Sequence, residues 1–583
     1  MNVLIVSMQR LPAFGGVNTY VFDLIQSLKN KNINVDLVCQ SDIDNLPEKS
    51  LKRIDDYREL LRKRSEQLPE IIINYEVGKF AFKELIKNLD IDKYDIIHSQ
   101  DGIFSKACKE VYPNKPLIGT IHGSFLDEMT LLGIIRDEFS AKLISRYDYW
   151  AVECPDMVII PSIHIDPSIP KIPNGKRKII SHGVDVNVFS PREKTNSTML
   201  KIVTASSLFY YKGLDILMEA LLKLKNDKVN FTVEIYGDGP EKSRLKKISV
   251  DSKLPVSFKG KIDRERLPVI LSKADVFVQA SRIESFGLSV TEAMACVCVP
   301  VCSAVGGLKD QVKHMENGLL FESENSDQLF QNLKLLANDK KLYQLLSKKA
   351  RNTILDKFSL EKMTEETIEA YREAINKGKI KTTFTKIYKR NSWGSYETVS
   401  GTGSSIDATK ELVKQIPILI DKLHIRTLID APCGDFNWMK HVELNIEKYI
   451  GIDIVPELIN NNQQNYTSDN RKFLNLDITR DNLPQADIIL CRDCLVHLSF
   501  NDIEKAIKNF QKSNSQYLLT TSFTDRANNE DITTGEWRPI NLELEPFNFP
   551  KPLYLINEKC MEEGGEFADK SLALWRVADL PIK

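Results

Sequence analysis

Ser281–Gly307, SRIESFGLSVTEAMACVCVPVCSAVGG, is the stretch around which the whole chain is organised. A short apolar strand, Val276–Val278, leads into it, and a loop carrying Glu284 follows. The pattern then predicts a helix carrying Glu292, a buried apolar run, and the glycine pair Gly306–Gly307. Seven residues separate the two glutamates, which puts the first on the loop and the second in the early turns of the helix. Both can therefore face one ligand lying across the helix start. The first turn of a helix offers unpaired N–H groups and a partial positive charge, a setting that suits a diphosphate.

Bulk composition narrows the frame. A chain of 583 residues is too long for one core, and roughly 150 residues per domain predicts about three or four domains. With 42% hydrophobic and 27% charged residues it has ordinary globular make-up. Lys and Arg number 79 against 80 Asp and Glu, so a net charge of -1 leaves no electrostatic footprint for nucleic acid. MNVLIVSMQRLP has no charged region ahead of its apolar run and reads as a first strand, not a signal peptide. The longest apolar candidate for a membrane span, Ala293–Leu308, is broken by Pro300 and by Gly306–Gly307. The 10 cysteines show no disulfide framework, which suits a reducing cytoplasm. Cys296, Cys298 and Cys302, and the pair Cys491 and Cys494, lie in or beside apolar strands and read as buried small hydrophobes.

From Met1 onward a strand, a glycine turn, a helix and another strand repeat. Asn2–Met8 reads as a strand, Phe14-Gly15-Gly16-Val17 as a tight loop and Thr19–Lys29 as an amphipathic helix. Val35–Gln40, Ile96–Gln100, Leu117–His122 and Val158–Pro161 follow as short apolar strands. Such alternation predicts a parallel sheet with ligands at the carboxyl ends of the strands. Gly15 and Gly16 sit at such an end, where a missing Cβ lets the backbone approach a ligand. The charged stretch within Leu51–Leu89 interrupts the pattern, and its alternating acids and bases read as a solvated helix face. A second series begins at Leu200: strand Lys201–Ser206, a helix opened by Tyr211-Lys212-Gly213 and reaching about Lys225, then strand Val233–Tyr236.

These stretches resemble the retaining GT-B glycosyltransferases, of the glycogen-synthase-like and glycosyltransferase-family-4 kind. Glu284-Ser285-Phe286-Gly287 followed by Glu292-Ala293-Met294-Ala295 matches their paired-glutamate signature. Thr120-Ile121-His122-Gly123 matches their active-site histidine, and Lys212-Gly213 their lysine. Gly183-Val184-Asp185 with Phe189 and Pro191 matches their connector between lobes, with His182 at the usual asparagine position. The resemblance implies two Rossmann-like lobes: 1–190 on the acceptor side, and 191–376 on the donor side, closed by helix Glu361–Ala374. It also implies sugar transfer from a nucleotide-sugar with retention and without a bound metal. His122 then lies beside the transferred sugar, Glu284 at its hydroxyls, Glu292 at the ribose and Lys212 at the leaving diphosphate. Gly15, Gly16, Ser207, Ser285, Phe286, Gly287 and Leu288 complete the implied donor site. Ser207 stands where the family usually has an arginine.

Composition shifts at Asn376–Ser405, so 377–405 is expected to be a linker and the start of a third domain, 406–583. There an amphipathic helix, Ile406–Leu423, precedes the strand Thr427–Asp430, which runs into Ala431-Pro432-Cys433-Gly434-Asp435-Phe436. A second strand, Tyr449–Ile452, ends in Asp453. A glycine turn after one strand and an acid after the next hold a nucleoside ribose, and the pattern serves NAD and S-adenosylmethionine alike. Leu476-Asp477-Ile478 ends a further strand, and Ala486–Arg492 runs into Asp493 and Leu495-Val496-His497-Leu498. That series resembles class I S-adenosylmethionine-dependent methyltransferases, with Pro432 and Phe436 where two glycines are common. The resemblance implies that Asp430, Pro432, Gly434, Asp453, Ile454, Asp477, Ile478 and Arg492 hold the cofactor. Methyl transfer then needs an aligned nucleophile and a proton acceptor, for which His497 is the candidate base and Asp493 its orienting partner or substitute. The stretch Gly535–Leu542 with Pro546–Pro550 reads either as a lid over the acceptor or as surface packing.

The expectation is an α/β chain: a two-lobed GT-B unit followed by a third Rossmann-like domain of the class I methyltransferase type. It is that of a bifunctional cytoplasmic enzyme using a nucleotide-sugar and S-adenosylmethionine. Its acceptor is a glycan or lipid-linked glycan, in surface polysaccharide biosynthesis, with no nucleic-acid partner. Peripheral association with the inner face of a membrane stays open. So do two alternatives: one half is a non-catalytic binding module, or the methyl acceptor is an unrelated small molecule.

Overall fold

The computed structural model describes residues 1–10, 15–64, 68–165, 169–173, 175–193 and 199–581. Phe14 of the expected glycine loop, and residues 65–67 of the charged stretch, lie outside the described residues. The chain forms two compact units, Met1–Ile375 and Asn376–Lys583.

The first unit holds two parallel sheets of six strands each. In the first sheet β1 (Asn2–Ser7), β2 (Asn34–Cys39), β3 (Ile96–Ser99), β4 (Leu117–Thr120), β5 (Met157–Ile160) and β6 (Arg177–Ile179) lie in the order β2-β1-β3-β4-β5-β6. Val3, Leu4, Ile5 and Val6 are all fully buried, the unbroken apolar run of a strand covered on both faces. One face packs on Tyr20, Leu24 and Leu28 of helix Gly16–Asn30, together with Met363 and Tyr371. Those last two belong to helix Leu360–Arg390, so the expected closing helix returns to the first lobe, where Tyr371 Oη meets His98 Nδ1 at 2.7 Å. The second sheet comprises β7 (Leu200–Ala205), β8 (Phe231–Tyr236), β9 (Val256–Gly260), β10 (Val276–Gln279), β11 (Val299–Ser303) and β12 (Leu319–Phe321), ordered β12-β11-β10-β7-β8-β9. The charged stretch becomes helices Glu48–Arg64 and Glu70–Ile86. The second of these buries Ile72, Ile73, Val77 and Phe82, so a solvated face describes only the first.

In the second unit seven strands form one sheet: β13 (Thr427–Asp430), β14 (Lys448–Asp453), β15 (Arg471–Asn475), β16 (Ile488–Cys491), β17 (Tyr517–Phe523), β18 (Tyr554–Asn557) and β19 (Lys570–Arg576). Their order is β15-β14-β13-β16-β17-β19-β18, with β19 antiparallel to both its neighbours. The residues expected to begin a linker are instead helical as far as Arg390. Those after it are tied into the domain: Thr398 Oγ1 donates to Asp435 Oδ2 at 2.7 Å and Val399 N to the same atom at 3.1 Å. Composition could not reveal this, because Ser, Thr and Gly serve a strap pinned by a distant carboxylate as well as they serve a linker.

Candidate functional site

A cavity of about 470 Å³ opens in the first unit at the carboxyl ends of its central strands. Its walls come from Ser7–Gln9 after β1, Gln100–Ile103 after β3, Thr120–Phe125 around the end of β4, Ser207 after β7, and Ile283–Leu288 after β10. Gly15, Gly16, His122, Ser207, Lys212, Glu284, Ser285, Phe286, Gly287 and Leu288 all line it. Gly287, with φ 97°, caps helix Leu288–Ala295, which directs that helix's N-terminus at the cavity. The glycine pair sets the Glu284 loop. A Cβ at Gly306, where φ is +44°, would lie 1.7 Å from the Glu284 carbonyl oxygen, and Gly307 N donates to that same oxygen at 3.2 Å.

Glu284 Oε2 accepts from Lys212 Nζ at 2.8 Å, Gln279 Nε2 at 3.0 Å and Ser281 Oγ at 3.1 Å. Burial acts against the Lys212 charge, but Glu284, Tyr211 and Glu128 outweigh it and hold the ammonium above its ordinary value. His122 Nε2 lies 3.0 Å from Gln100 Oε1, and burial pushes the ring down to about 4, so it is neutral.

Glu292 does not line this cavity. It is 5% exposed, with its Oε1 3.6 Å from Arg264 Nη2. Arg264 in turn makes a bidentate pair with Asp23 of the first lobe, at 2.6 and 2.5 Å. Burial raises Glu292 to about 7, with Arg264 pulling the other way. The helix spacing was read correctly. Which neighbour the carboxylate meets depends on Arg264 and Asp23, which are remote in sequence.

The second unit has its own cavity, about 690 Å³, at the carboxyl ends of β13, β14 and β16. Asp430, Pro432, Gly434, Asp453, Ile454, Arg492, Asp493 and His497 line it. Asp453 Oδ1 accepts from Val455 N at 2.9 Å and Oδ2 from Gly434 N at 3.2 Å, while burial raises its pKa to about 6. Burial also raises Asp430, to about 7, against the Tyr449 hydroxyl that donates to it at 2.5 Å. Gly434 has φ +51°, and a Cβ there would lie 2.2 Å from Ser400 Oγ. The strap presses directly on the glycine turn, and Ser400–Ser404 become part of the wall. Asp477 and Ile478 stand behind that wall instead of lining it. Asp477 is 3% exposed; its Oδ1 takes Thr479, and its Oδ2 has no partner among the described residues.

The same cavity is also lined by His497 and Asp493. His497 Nδ1 lies 2.9 Å from the Glu536 carbonyl oxygen, which can only accept, so Nδ1 carries the hydrogen and Nε2 a lone pair. Burial lowers the pKa of the ring. The Trp393 ring lies 4.9 Å from it. For Asp493 burial opposes ionisation, but Arg492 and Lys570 outweigh it and bring the group down to about 2. Lys570 Nζ donates to Asp493 Oδ2 at 2.7 Å. Asp493 is therefore held as an anion by Lys570 and Arg492. Trp537, from the expected lid stretch, also lines this cavity and is 45% exposed. Lys570, Phe384 and Phe567 line it without any signal in the sequence pattern, because each reaches it from a distant strand, helix or loop.

Comparisons with known proteins find matches in both units. Residues 14–188 match the family Glycosyltransferase Family 4, residues 186–353 match Glycosyl transferases group 1, and residues 429–513 match Methyltransferase domain. The UDP-Gal:alpha-D-GlcNAc-diphosphoundecaprenol alpha-1,3-galactosyltransferase of Escherichia coli is 25% identical, over 64% of this chain and 98% of its own length. The N-acetyl-alpha-D-glucosaminyl L-malate synthase of Bacillus anthracis is 25% identical, over 49% of this chain and 77% of its own. Among solved structures, sucrose-phosphate synthase from Thermosynechococcus elongatus superimposes with a TM-score of 0.52 at 20% identity, covering 64% of this chain and 98% of that one. Among the described residues no helix is long and apolar enough to cross a membrane, and no group of three or more His, Cys, Asp or Glu is placed to hold a metal ion.

Proposed function

From a chain that joins a glycosyltransferase of the GT-B fold to a methyltransferase domain, we propose an enzyme whose two units act on one glycan. The first adds a sugar from a nucleotide-sugar with retention of configuration. The second methylates a hydroxyl of the growing glycan with S-adenosylmethionine, in surface polysaccharide biosynthesis at the cytoplasmic face of a membrane. The observation that carries the reading is the Lys212–Glu284 pair at the start of helix Leu288–Ala295. It sets one cation and a ring of hydrogen-bonding groups where a sugar diphosphate would bind. The lipid-linked acceptor in the name of the Escherichia coli relative supports a carrier-bound substrate.

In the first unit Lys212 and the backbone N–H groups of the helix start meet charge developing on the leaving diphosphate. Glu284, held by Lys212, Gln279 and Ser281, presents its carboxylate to sugar hydroxyls. In the second unit the residues fit S-adenosylmethionine: Asp453 and the Gly434 turn line the cavity and suit a ribose. The bound cofactor supplies an electrophilic methyl group. His497 removes the acceptor's proton at Nε2, while the Glu536 carbonyl holds the other nitrogen protonated. Asp493, locked to Lys570, orients acceptor hydroxyls, and Trp393 and Trp537 offer flat faces to the C–H side of a sugar ring. Fusion in one chain keeps the product of one site at high effective concentration near the other.

The test is to incubate the purified chain with nucleotide-sugar, acceptor glycan and S-adenosylmethionine, and to weigh the product. One sugar plus one methyl group is expected. A glycan lengthened without a methyl group ends the coupled reading. Calorimetric binding of S-adenosylmethionine that survives Asp453→Ala ends the assignment of the second cavity.

A further inference from the structure

Lys212 and Glu284 meet at 2.8 Å, yet each stands on a loop well past the end of its strand. β7 ends at Ala205 and β10 at Gln279, and the two strands pair through Val276–Ile202 and Phe277–Val203, before either loop begins. Strand pairing therefore leaves the distance between the two side chains unset, and two further ties set it. At Gly213, where φ is +64°, a Cβ would lie 1.9 Å from the Ala280 carbonyl oxygen, so the Lys212 turn rests directly on the start of the Glu284 loop. The second tie is Arg282, two residues before Glu284. Its backbone N donates to the Tyr211 carbonyl oxygen at 2.8 Å. Its Nη1 donates to the Tyr210 carbonyl oxygen at 2.6 Å, and its guanidinium lies 3.8 Å from the centroid of the Tyr210 ring.

The rest of the guanidinium is spent on two carboxylates. Nη1 and Nη2 each donate to Asp215 at 3.0 Å, and Asp215 stands in the first turn of helix Leu214–Asn226, directly after the Lys212 turn. Nε and Nη2 donate to Glu324, which follows β12, the latter bond at 3.0 Å. An arginine has five N–H donors, and all five are taken. The side chain is 13% exposed and does not line the cavity. Arg282 therefore has no donor left for a diphosphate and cannot stand in for the arginine replaced by Ser207. What it does is join the loops after β7, β10 and β12, with Lys212 and Glu284 on the cavity side. A lysine in its place would offer one point of charge on a flexible stem, not a planar fork able to reach Tyr210, Asp215 and Glu324 together. Without Arg282, Asp215 keeps Arg244, 3.6 Å away, and Leu214, Leu217 and Leu221 stay buried, so the helix keeps its anchorage.

We infer that Arg282 is a positioning residue for sugar transfer: it holds the Lys212 turn against the Glu284 loop and so sets where the ammonium meets the leaving group. The inference rests on the role proposed above for Lys212. The test uses the full chain and acceptor-free hydrolysis of UDP-glucose, UDP-galactose, UDP-N-acetylglucosamine and GDP-mannose, read as release of the nucleoside diphosphate. Arg282→Gln should lower kcat about 10–10²-fold with the donor KM within about threefold of wild type, the signature of a displaced group and not of a lost contact. Arg282→Lys, which keeps the charge and loses the fork, should fall as far as Arg282→Gln. In the background of Lys212→Met, Arg282→Gln should cost less than about threefold more, because nothing is left for it to position. Melting curves identify any variant that fails to fold. If Arg282→Gln is one, Asp215→Asn, nearly isosteric, repeats the cycle with the same expectation. Losses that multiply in the double variant, a wild-type rate in Arg282→Lys, or a folded Arg282→Gln with kcat within about threefold of wild type overturns the positioning role while transfer itself stands. A Lys212→Met variant at the wild-type rate, or a wild-type chain that hydrolyses none of these donors, overturns the reading of Lys212 and the inference with it.

Discussion

Replacing Lys212 with methionine removes the one lysine or arginine among the described residues of the sugar-transfer cavity. Its side chain is 16% exposed and its Nζ lies 2.8 Å from Glu284 Oε2. Because Glu284, Tyr211 and Glu128 hold its pKa up against burial, the group stays charged through any practical assay range. A unit charge about 4 Å from charge developing on a leaving group, at an effective dielectric of about 20, is worth about 4 kcal/mol. Removing one positioned donor from such a site costs about 10²–10³ in kcat. The upper end is expected here, since Ser207 provides no second cation to share the load. Glu284 keeps Gln279 and Ser281, and methionine keeps the apolar stem beside Tyr211, so the melting temperature should hardly move. Initial rates of sugar transfer, read alongside melting curves, decide the matter. A rate within about threefold of wild type in a folded variant refutes the assignment. A loss confined to KM would show that Lys212 binds the ground state and does no more.

Three further outcomes follow from single residues. Glu292 has a folded pKa near 7, raised first by burial, above its unfolded value of about 4.3. Its contribution to stability is thus complete below that unfolded value and is lost as pH rises through about 7. Glu292→Gln should flatten the fall of melting temperature over that window, and an unchanged slope refutes the shift. His497→Gln should cut methyl transfer about 10²–10⁴-fold without changing S-adenosylmethionine affinity by calorimetry. Since burial lowers the His497 pKa, the wild-type methyl-transfer rate should hold as pH falls to about 6.5 and drop only below that; a midpoint above it counts against His497 as the base. Gly434→Ala should destabilise the second unit by about 1–3 kcal/mol, because the position has φ +51° and the new Cβ meets Ser400 Oγ. A variant that melts and binds cofactor like wild type would show that the strap yields.

Much of the site was legible because its residues sit at the ends of apolar strands, where period and punctuation coincide. Lys212, Glu284 and Gly287 follow β7 and β10, and Gly434 and Asp453 follow β13 and β14. Edge strands were harder to see. Arg177–Ile179 alternates exposed and half-buried positions over three residues, too short for a period to show. The strap at 395–404 was hidden by composition, since what orders it is one carboxylate, Asp435, about 35 residues away. Gln100 carried no signal either, and His182 stood out only as a departure from a motif.

The sequence by itself determined the two-unit α/β order, the glycine turns and the acids at the strand ends, because hydrophobic period and backbone constraint act over a few neighbouring residues. Tertiary structure alone decided which charges meet. It turned Glu292 toward Arg264 and Asp23, locked Asp493 to Lys570 and tied the Nδ1 of His497 to the Glu536 carbonyl. It also buried Gln100, His122 and His182 together on one wall. Charge and hydrogen bonding depend on distance in space and on burial, and a linear pattern carries neither.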